Sequence, residues 1–494
     1  MSSLYLKTTQ LPSPLHSPVF REREEREKMV SVMVVLAIVL CFFLALLYLA
    51  EKKNPKLGFP GQYGWPIVRE NFTWYRSTSQ TTMLDFLQPR ISRYGRIFMS
   101  HLFGKPSLLS VDPEFNKWVM QNEGKLFKAM YTVSFRKAIG KYGLIAVHGD
   151  LQRKLHGIAV NLLAPDKLRS HYMADVESRV INSVASWIGE EVRLQDECHK
   201  IVSELMCKQL LDLDSIEEME EIDKEFVAFT KTVLCFPIAF PGTNFAKGMK
   251  ARKALDTKIY KAIKDREDHP EVQRGDLLTR LLREEKPLPT EVVVDFIIFL
   301  LFAGHETSSR SMTLAVKFIT DHPDVLERLR EEQDAIAKNK KGERLTWEDY
   351  TSMNYTQCVI NETLRMSSVS PMVLRESTED VEFDGHTIPK GTHVVLMSNG
   401  VHRDSEYFTS PLVFNPDRWW DFENDKFVNY TCFSPFGGGA RLCPGAQLAR
   451  LEIAILLHYL VTRCSWKLVK EDRITEFPLP TLVEGLPLRV FSRL

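Results

Sequence analysis

The sequence predicts a mainly α-helical protein with a minor β-sheet, preceded by one transmembrane helix. Three observations lead there. Helical periodicity dominates beyond about residue 113, with long stretches near 170–212, 218–234, 248–266 and 289–321. Strand-like segments are few: 96–103, 107–111, 380–397 and a short return near the C-terminus, with no βα alternation. Residues 29–50 are almost entirely apolar and carry no charge. As a helix that run reaches roughly 33 Å, enough to cross a bilayer.

Four regions follow in chain order. Residues 1–28 form an extension that we expect to be disordered, with 21–28 a charged run most simply read as a solvated helical turn. Residues 29–50 are the membrane anchor. The run is too long, and lacks the small-residue cleavage site, for a secretory signal. Lysines and arginines flank both ends, so charge does not orient the span. Residues 51–66 are a linker, stiffened by Pro60 and Pro66. Residues 67–494 are the globular, catalytic part.

Composition excludes some function classes. The 494 residues carry 64 basic and 64 acidic side chains, which argues against nucleic acid as a partner. The eight cysteines are scattered without a C-x-x-C pair, so they make neither a disulfide framework nor a zinc site, which fits a reducing compartment. Four N-x-S/T triplets, at Asn71, Asn354, Asn361 and Asn429, are read as ordinary asparagines.

Only Cys443 sits in a context that implies chemistry. Around it, residues 433–445 hold three consecutive glycines, an arginine two positions before the cysteine, and Pro444-Gly445 after it. Glycines let backbone approach something flat that a Cβ would exclude. The helix starting at Ala446 points its positive end back at Cys443, which favours a thiolate. The bland alternative is a Gly-rich turn beside a buried structural cysteine. Upstream, we expect a long helix from Asp295 to Phe318, interrupted around Ala303, Gly304, His305, Glu306 and Thr307. Ala303 and Gly304 leave room for a flat cofactor, and Thr307 can bond back to the Ala303 carbonyl. Glu306 is placed to feed protons, while His305 reads as structural. Glu362 and Arg365 share a helix face at i, i+3, and Arg418 follows in the segment 414–419.

The spacing Phe436-x-x-Gly439-x-Arg441-x-Cys443-x-Gly445 resembles the haem-binding signature of cytochrome P-450 enzymes. Residues 303–307 are similar to the oxygen-activating helix of that superfamily, and residues 59–66 to its proline-rich hinge. Finer stretches (149–163, 208–213 and 433–445) resemble conifer diterpene oxidases of the abietadienol/abietadienal type. These fall in a plant clan that also holds brassinosteroid hydroxylases. The resemblance implies a cytochrome P-450 fold and haem b with Cys443 as axial iron ligand. Phe436, Gly437, Gly439, Gly445, Ala303 and Gly304 would line the haem. Arg441, Arg375, Gln152 and His156 would meet its propionates. Thr307 and Glu306 would be catalytic, and Glu362, Arg365 and Arg418 a structural ion network. It also implies electrons from NADPH through a cytochrome P-450 reductase, and a small apolar terpene or sterol substrate. Membrane lipid would be a further contact. The expected location is the endoplasmic reticulum membrane with the catalytic part cytosolic, a plastid being the alternative. The reaction implied is stepwise oxidation of a diterpene methyl group. Steroid hydroxylation, a reductase-independent thiolate-haem isomerase, and a haem sensor or carrier are the competing readings. Segments 131–144, 296–303, 369–374 and 479–484 are expected to face substrate. The apolar loop 236–242 is expected to dip into the membrane.

Overall fold

Thr290–Asp321 is the axis of the globular part: a 32-residue helix, apolar on nearly every face and buried along most of its length. A helix apolar all round must be either a membrane span or a core element. This one packs against Leu194–Leu211, Ala446–Arg463 and Asn354–Ser367, so it is core. The computed structural model describes residues 18–51, 58–64, 69–232, 235–420, 431–477 and 479–493.

The minor sheet has five strands. Their order is Ile97–Leu102, Lys105–Ser110, His393–Leu396, Val373–Ser377 and Phe127–Ala129. All neighbours are antiparallel except Lys105–Ser110 with His393–Leu396. The first hairpin turns on Phe103 and Gly104, both at positive φ, the requirement of a two-residue primed turn. Asn71 Oδ1 accepts from the Phe103 amide at 2.8 Å and helps hold the non-glycine residue there. A second sheet pairs Pro487–Ser492 with Glu191–Arg193 on one side and Cys464–Leu468 on the other.

Several expectations need correction. The helix holding the apolar run starts at Pro18 and continues to Glu51, so the helical turn read at 21–28 is part of one long helix that also takes in 18–20. Proline suits the first helical position and the Arg/Glu run that follows is a good helix former. Along 29–45 the apolar side chains are exposed almost without exception. Within the linker, residues 60–62 are not a free spacer. The Met99 amide donates to the Pro60 carbonyl at 2.8 Å and the Gln62 amide to the Met99 carbonyl at 3.1 Å. The periodic stretch 170–212 is two helices, Met173–Trp187 and Leu194–Leu211, split at Gly189 and the strand Glu191–Arg193. Finally, the central helix is uninterrupted through residues 303–309.

Candidate active site

The cysteine loop is built by backbone geometry. Gly437 and Gly439 adopt φ of +73° and +64°. A Cβ on Gly439 would strike the Met120 carbonyl, so this glycine is required twice over. The Cys443 amide donates to the Phe436 carbonyl at 3.1 Å, closing the loop just before the Ala446–Arg463 helix. Phe436 packs on the core, with the Arg450 guanidinium 5.6 Å from its ring centre. Cys443 keeps accessible surface, yet protein surrounds it closely enough that burial pushes its thiol up, against a lowering by the Gly445 amide.

Gln152 and His156 sit on the helix Gly149–Leu162 against this loop, but they bind its backbone. Gln152 Nε2 donates to the Ala440 carbonyl at 3.1 Å, and His156 Nε2 meets the Leu442 carbonyl at 2.8 Å. Their hydrogen bonds go to the loop, which they anchor to this helix. The two arginines converge instead on a residue that sequence reasoning missed. Arg441 Nε donates to Glu123 Oε1 at 2.7 Å, and Arg375 Nε faces Glu123 Oε2 at 2.6 Å as a charge pair. Arg441 also donates to the carbonyls of Leu144 and Val147. Nothing near Glu123 in the sequence signals this role.

The opposite wall is the central helix. Thr307 Oγ1 donates to the Ala303 carbonyl at 2.6 Å, as the sequence predicts. Gly304 has a different neighbour from the one expected: a Cβ there would come within 2.6 Å of the Met206 methyl. Its missing side chain lets Leu194–Leu211 pack closely, and only Ala303 is left to make room for a cofactor. Glu306 is buried and ion-paired with Arg310, whose Nε and Nη2 both donate to Oε2, at 2.9 and 2.7 Å. Burial would raise its carboxyl. The facing His305 ring and the Arg310 charge outweigh that and hold it well below the usual range. Arg310 reaches on to the Pro480 carbonyl at 3.3 Å, tying this network to segment 479–484.

Behind the cysteine loop, Glu362 and Arg365 are fully buried on Asn354–Ser367 and pair at 2.8 and 2.9 Å. Arg418 Nε adds a 3.0 Å bond to Glu362, and Trp419 Nε1 one of 2.8 Å. Arg365 also donates to the carbonyls of His402 and Pro411. The expected three-residue network is assembled, with Trp419 a member the sequence did not reveal.

Segment 131–144 is fixed by another polar centre. Asp295, buried on the central helix, pairs with Arg252 and accepts from the Tyr142 amide at 2.8 Å. Arg252 in turn donates to the Ala138 carbonyl at 2.7 Å. A Cβ on Gly140 would strike Asp295, so the glycine permits the approach. Tyr131, Phe135, Phe302 and Phe229 form a continuous aromatic chain with ring centres 5.3–5.8 Å apart. Phe229 lies on Ile216–Thr230, outside every segment expected to face substrate. A cavity of about 610 Å³ opens beside this loop. It is lined by Arg136, Lys137, Lys141 and His148 and by none of Thr307, Cys443 or segment 479–484, so it is not the reaction chamber.

A family model described as Cytochrome P450 matches residues 59–487. The chain belongs to the cytochrome P450 family. It is 48% identical to an abietadienol/abietadienal oxidase of Pinus taeda, over 90% of this chain and 92% of that one. It is 47% identical to cytochrome P450 720B2 of the same species, over 93% and 96%. A cholesterol 22-monohydroxylase of Trigonella foenum-graecum is 38% identical over 92% and 96%. Among solved structures, the retinoic acid-bound cyanobacterial CYP120A1 superposes with a TM-score of 0.79 at 26% identity, over 88% of this chain and 99% of that one.

This P450 is therefore a haem-iron monooxygenase that takes electrons from NADPH through a reductase. Its residues fit the haem. Among the described residues, the one cluster of three or more possible metal ligands excludes Cys443, so iron bound there must bring its other ligands with it, as a porphyrin does. The loop glycines supply a flat approach, and Arg375 and Arg441 supply buried cations for propionates.

Proposed function

We propose that this P450 oxidises a methyl group of a tricyclic diterpene olefin of the abietadiene type, stepwise to alcohol, aldehyde and carboxylic acid. The observation that carries this reading is the 48% identity to a diterpenoid oxidase along nine-tenths of the chain. The aromatic chain Tyr131–Phe135–Phe302–Phe229 supports it, because an olefin without polar groups binds by apolar burial. Cys443 would hold the haem iron, and Arg375 and Arg441 would hold the propionates; when bound, the haem would supply dioxygen activation. Thr307, held by the Ala303 carbonyl, positions a proton at its hydroxyl. Glu306, the preceding residue on the helix, is the acid that would refill it. Being ionised at rest, it works by taking up a proton and passing it on, not by storing one.

Purified enzyme with reductase, NADPH and abietadiene-type olefins should give the alcohol, aldehyde and acid by mass spectrometry. Turnover of sterols alone would move the assignment to the steroid hydroxylases, the second reading that the Trigonella relative favours. Product formed without NADPH would point to an isomerase.

The exposed apolar run along 29–45 supports a membrane anchor, and the location proposed is the endoplasmic reticulum with the catalytic part cytosolic. Phe236 and Phe240, 82% and 69% exposed, support a second lipid contact through loop 236–242. Phe240→Asp should lower turnover of olefin delivered from vesicles several-fold while leaving haem content unchanged. Unchanged turnover would exclude the loop from the lipid.

A further inference from the structure

On the side of the central helix facing Leu194–Leu211 and Ile216–Thr230 lies a second polar centre that the oxidation chemistry does not use in full. His305, Glu306 and the half-buried His199 place one nitrogen or oxygen each so that all three atoms lie within 4.8 Å of one another. Both donors of Arg310 fall on Glu306 Oε2; Oε1 faces His305 Nδ1 at 3.8 Å, too long for a hydrogen bond. Nδ1 is buried and has no hydrogen-bond partner, although His305 is 97% buried. Its other nitrogen, Nε2, is 3.1 Å from Asp223 Oδ1. The His199 and His305 rings meet edge to face at 4.7 Å.

We propose that His199, His305 and Glu306 form a binding site for a divalent cation of the zinc class, with Asp223 as its outer partner. Two imidazoles and a carboxylate are a donor set that zinc accepts, and ligands on a tetrahedral ion stand about 3.4 Å apart. From its 4.8 Å limit the cluster needs to contract by up to about 1.4 Å. A metal-bound histidine characteristically gives its far N–H to a carboxylate, and Asp223 is already in that place. Charge is also matched. Asp223 and Glu306 place two carboxylates around the His305 ring, 3.1 Å from Nε2 and 3.8 Å from Nδ1, a charge balance that suits a cation. Binding of Zn²⁺ displaces the Nδ1 proton of His305 to solvent and leaves Arg310 on Oε2.

The test uses the full-length haem-loaded protein, without a histidine tag, stripped by chelator and titrated with Zn²⁺ by calorimetry, with retained metal counted by mass spectrometry. One Zn²⁺ per chain is expected, and His199→Phe and Asp223→Asn should each weaken binding at least tenfold with an unchanged reduced carbon monoxide band. If the wild type takes up no zinc, or if the variant that keeps its haem binds zinc as tightly as wild type, the site does not exist. Inhibition of turnover by Zn²⁺ would follow only if Glu306 also has its proposed proton role. Calorimetry therefore separates failure of the metal site from failure of that role.

Discussion

The two walls around Cys443 and Thr307 are held by different physics. The wall behind the cysteine is a rigid frame. Its loop is locked by positive-φ glycines and by side chains bonded to backbone, and Glu362 at its rear is saturated by Arg365, Arg418 and Trp419. The central-helix wall is charged and incompletely satisfied: Asp223, His305, Glu306 and Arg310 form a chain in which His305 Nδ1 has no hydrogen-bond partner. A satisfied network specifies one geometry, whereas a partly satisfied one retains alternatives. The frame thus suits a fixed metal ligand, and the other wall suits groups that must exchange protons.

Breaking the frame at its ligand should have the largest effect. Cys443→Ser should abolish the thiolate-type band of the reduced carbon monoxide complex and all NADPH-dependent turnover, while the protein still sediments with membranes. A retained thiolate band would overturn the assignment. Next comes the rear network. Glu362→Ala strands two buried guanidinium groups, and removing one partner of a buried ion pair costs about 3–5 kcal/mol. Haem-loaded protein should fail to accumulate, with the apoprotein recovered as aggregate. Normal yield and haem content would show that the network is dispensable.

On the opposite wall a smaller and different failure is expected. Thr307→Ala keeps the helix, since alanine is the better helix former, but removes the hydroxyl bonded to Ala303. Product formation should fall roughly tenfold or more, with NADPH consumption falling less and the difference appearing as peroxide. Loss of both in parallel would make Thr307 a structural residue.

The contrast also explains what could be read from the sequence. The frame is local in sequence: Gly437 to Gly445 is one loop and Glu362 to Arg365 one helical turn, so spacing alone shows them. Thr307 and the central helix were legible for the same reason, whereas Arg375 and Arg441 were named only through the family resemblance. What escaped is long-range. Glu123 meets Arg375 and Arg441 across more than 250 residues of chain, Asp295 holds Tyr142 from a distant helix, and Phe229 reaches Phe302 from another. Gly304 misled because a mid-helix glycine looks the same in sequence whether a cofactor or, as here, Met206 fills the space. For Gln152 and His156 the sequence did not reveal that their side chains bond the loop's own carbonyls, because those contacts also span nearly 290 residues.

One residue joins the two walls, and it gives the subtlest prediction. Glu452, on the Ala446–Arg463 helix, is buried against Ser308 of the central helix, and its Oε2 has no hydrogen-bond partner. Burial raises its carboxyl to about 7, partly offset by the Ser308 hydrogen bond. The folded protein therefore keeps this proton up to about pH 7, whereas the unfolded chain releases it near an ordinary glutamate value of about 4.3. Between those values the folded state binds more protons, so stability contributed here falls as pH rises and stays low above about 7. Glu452→Gln retains the shape and removes the titration. The variant should match the wild type near pH 5 and exceed it by roughly 1–3 kcal/mol at pH 8, read as a pH-dependent gap in thermal midpoint. A gap that is constant across that range would mean the carboxyl is already ionised in the folded state, and that water reaches the seam between the rigid wall and the exchangeable one.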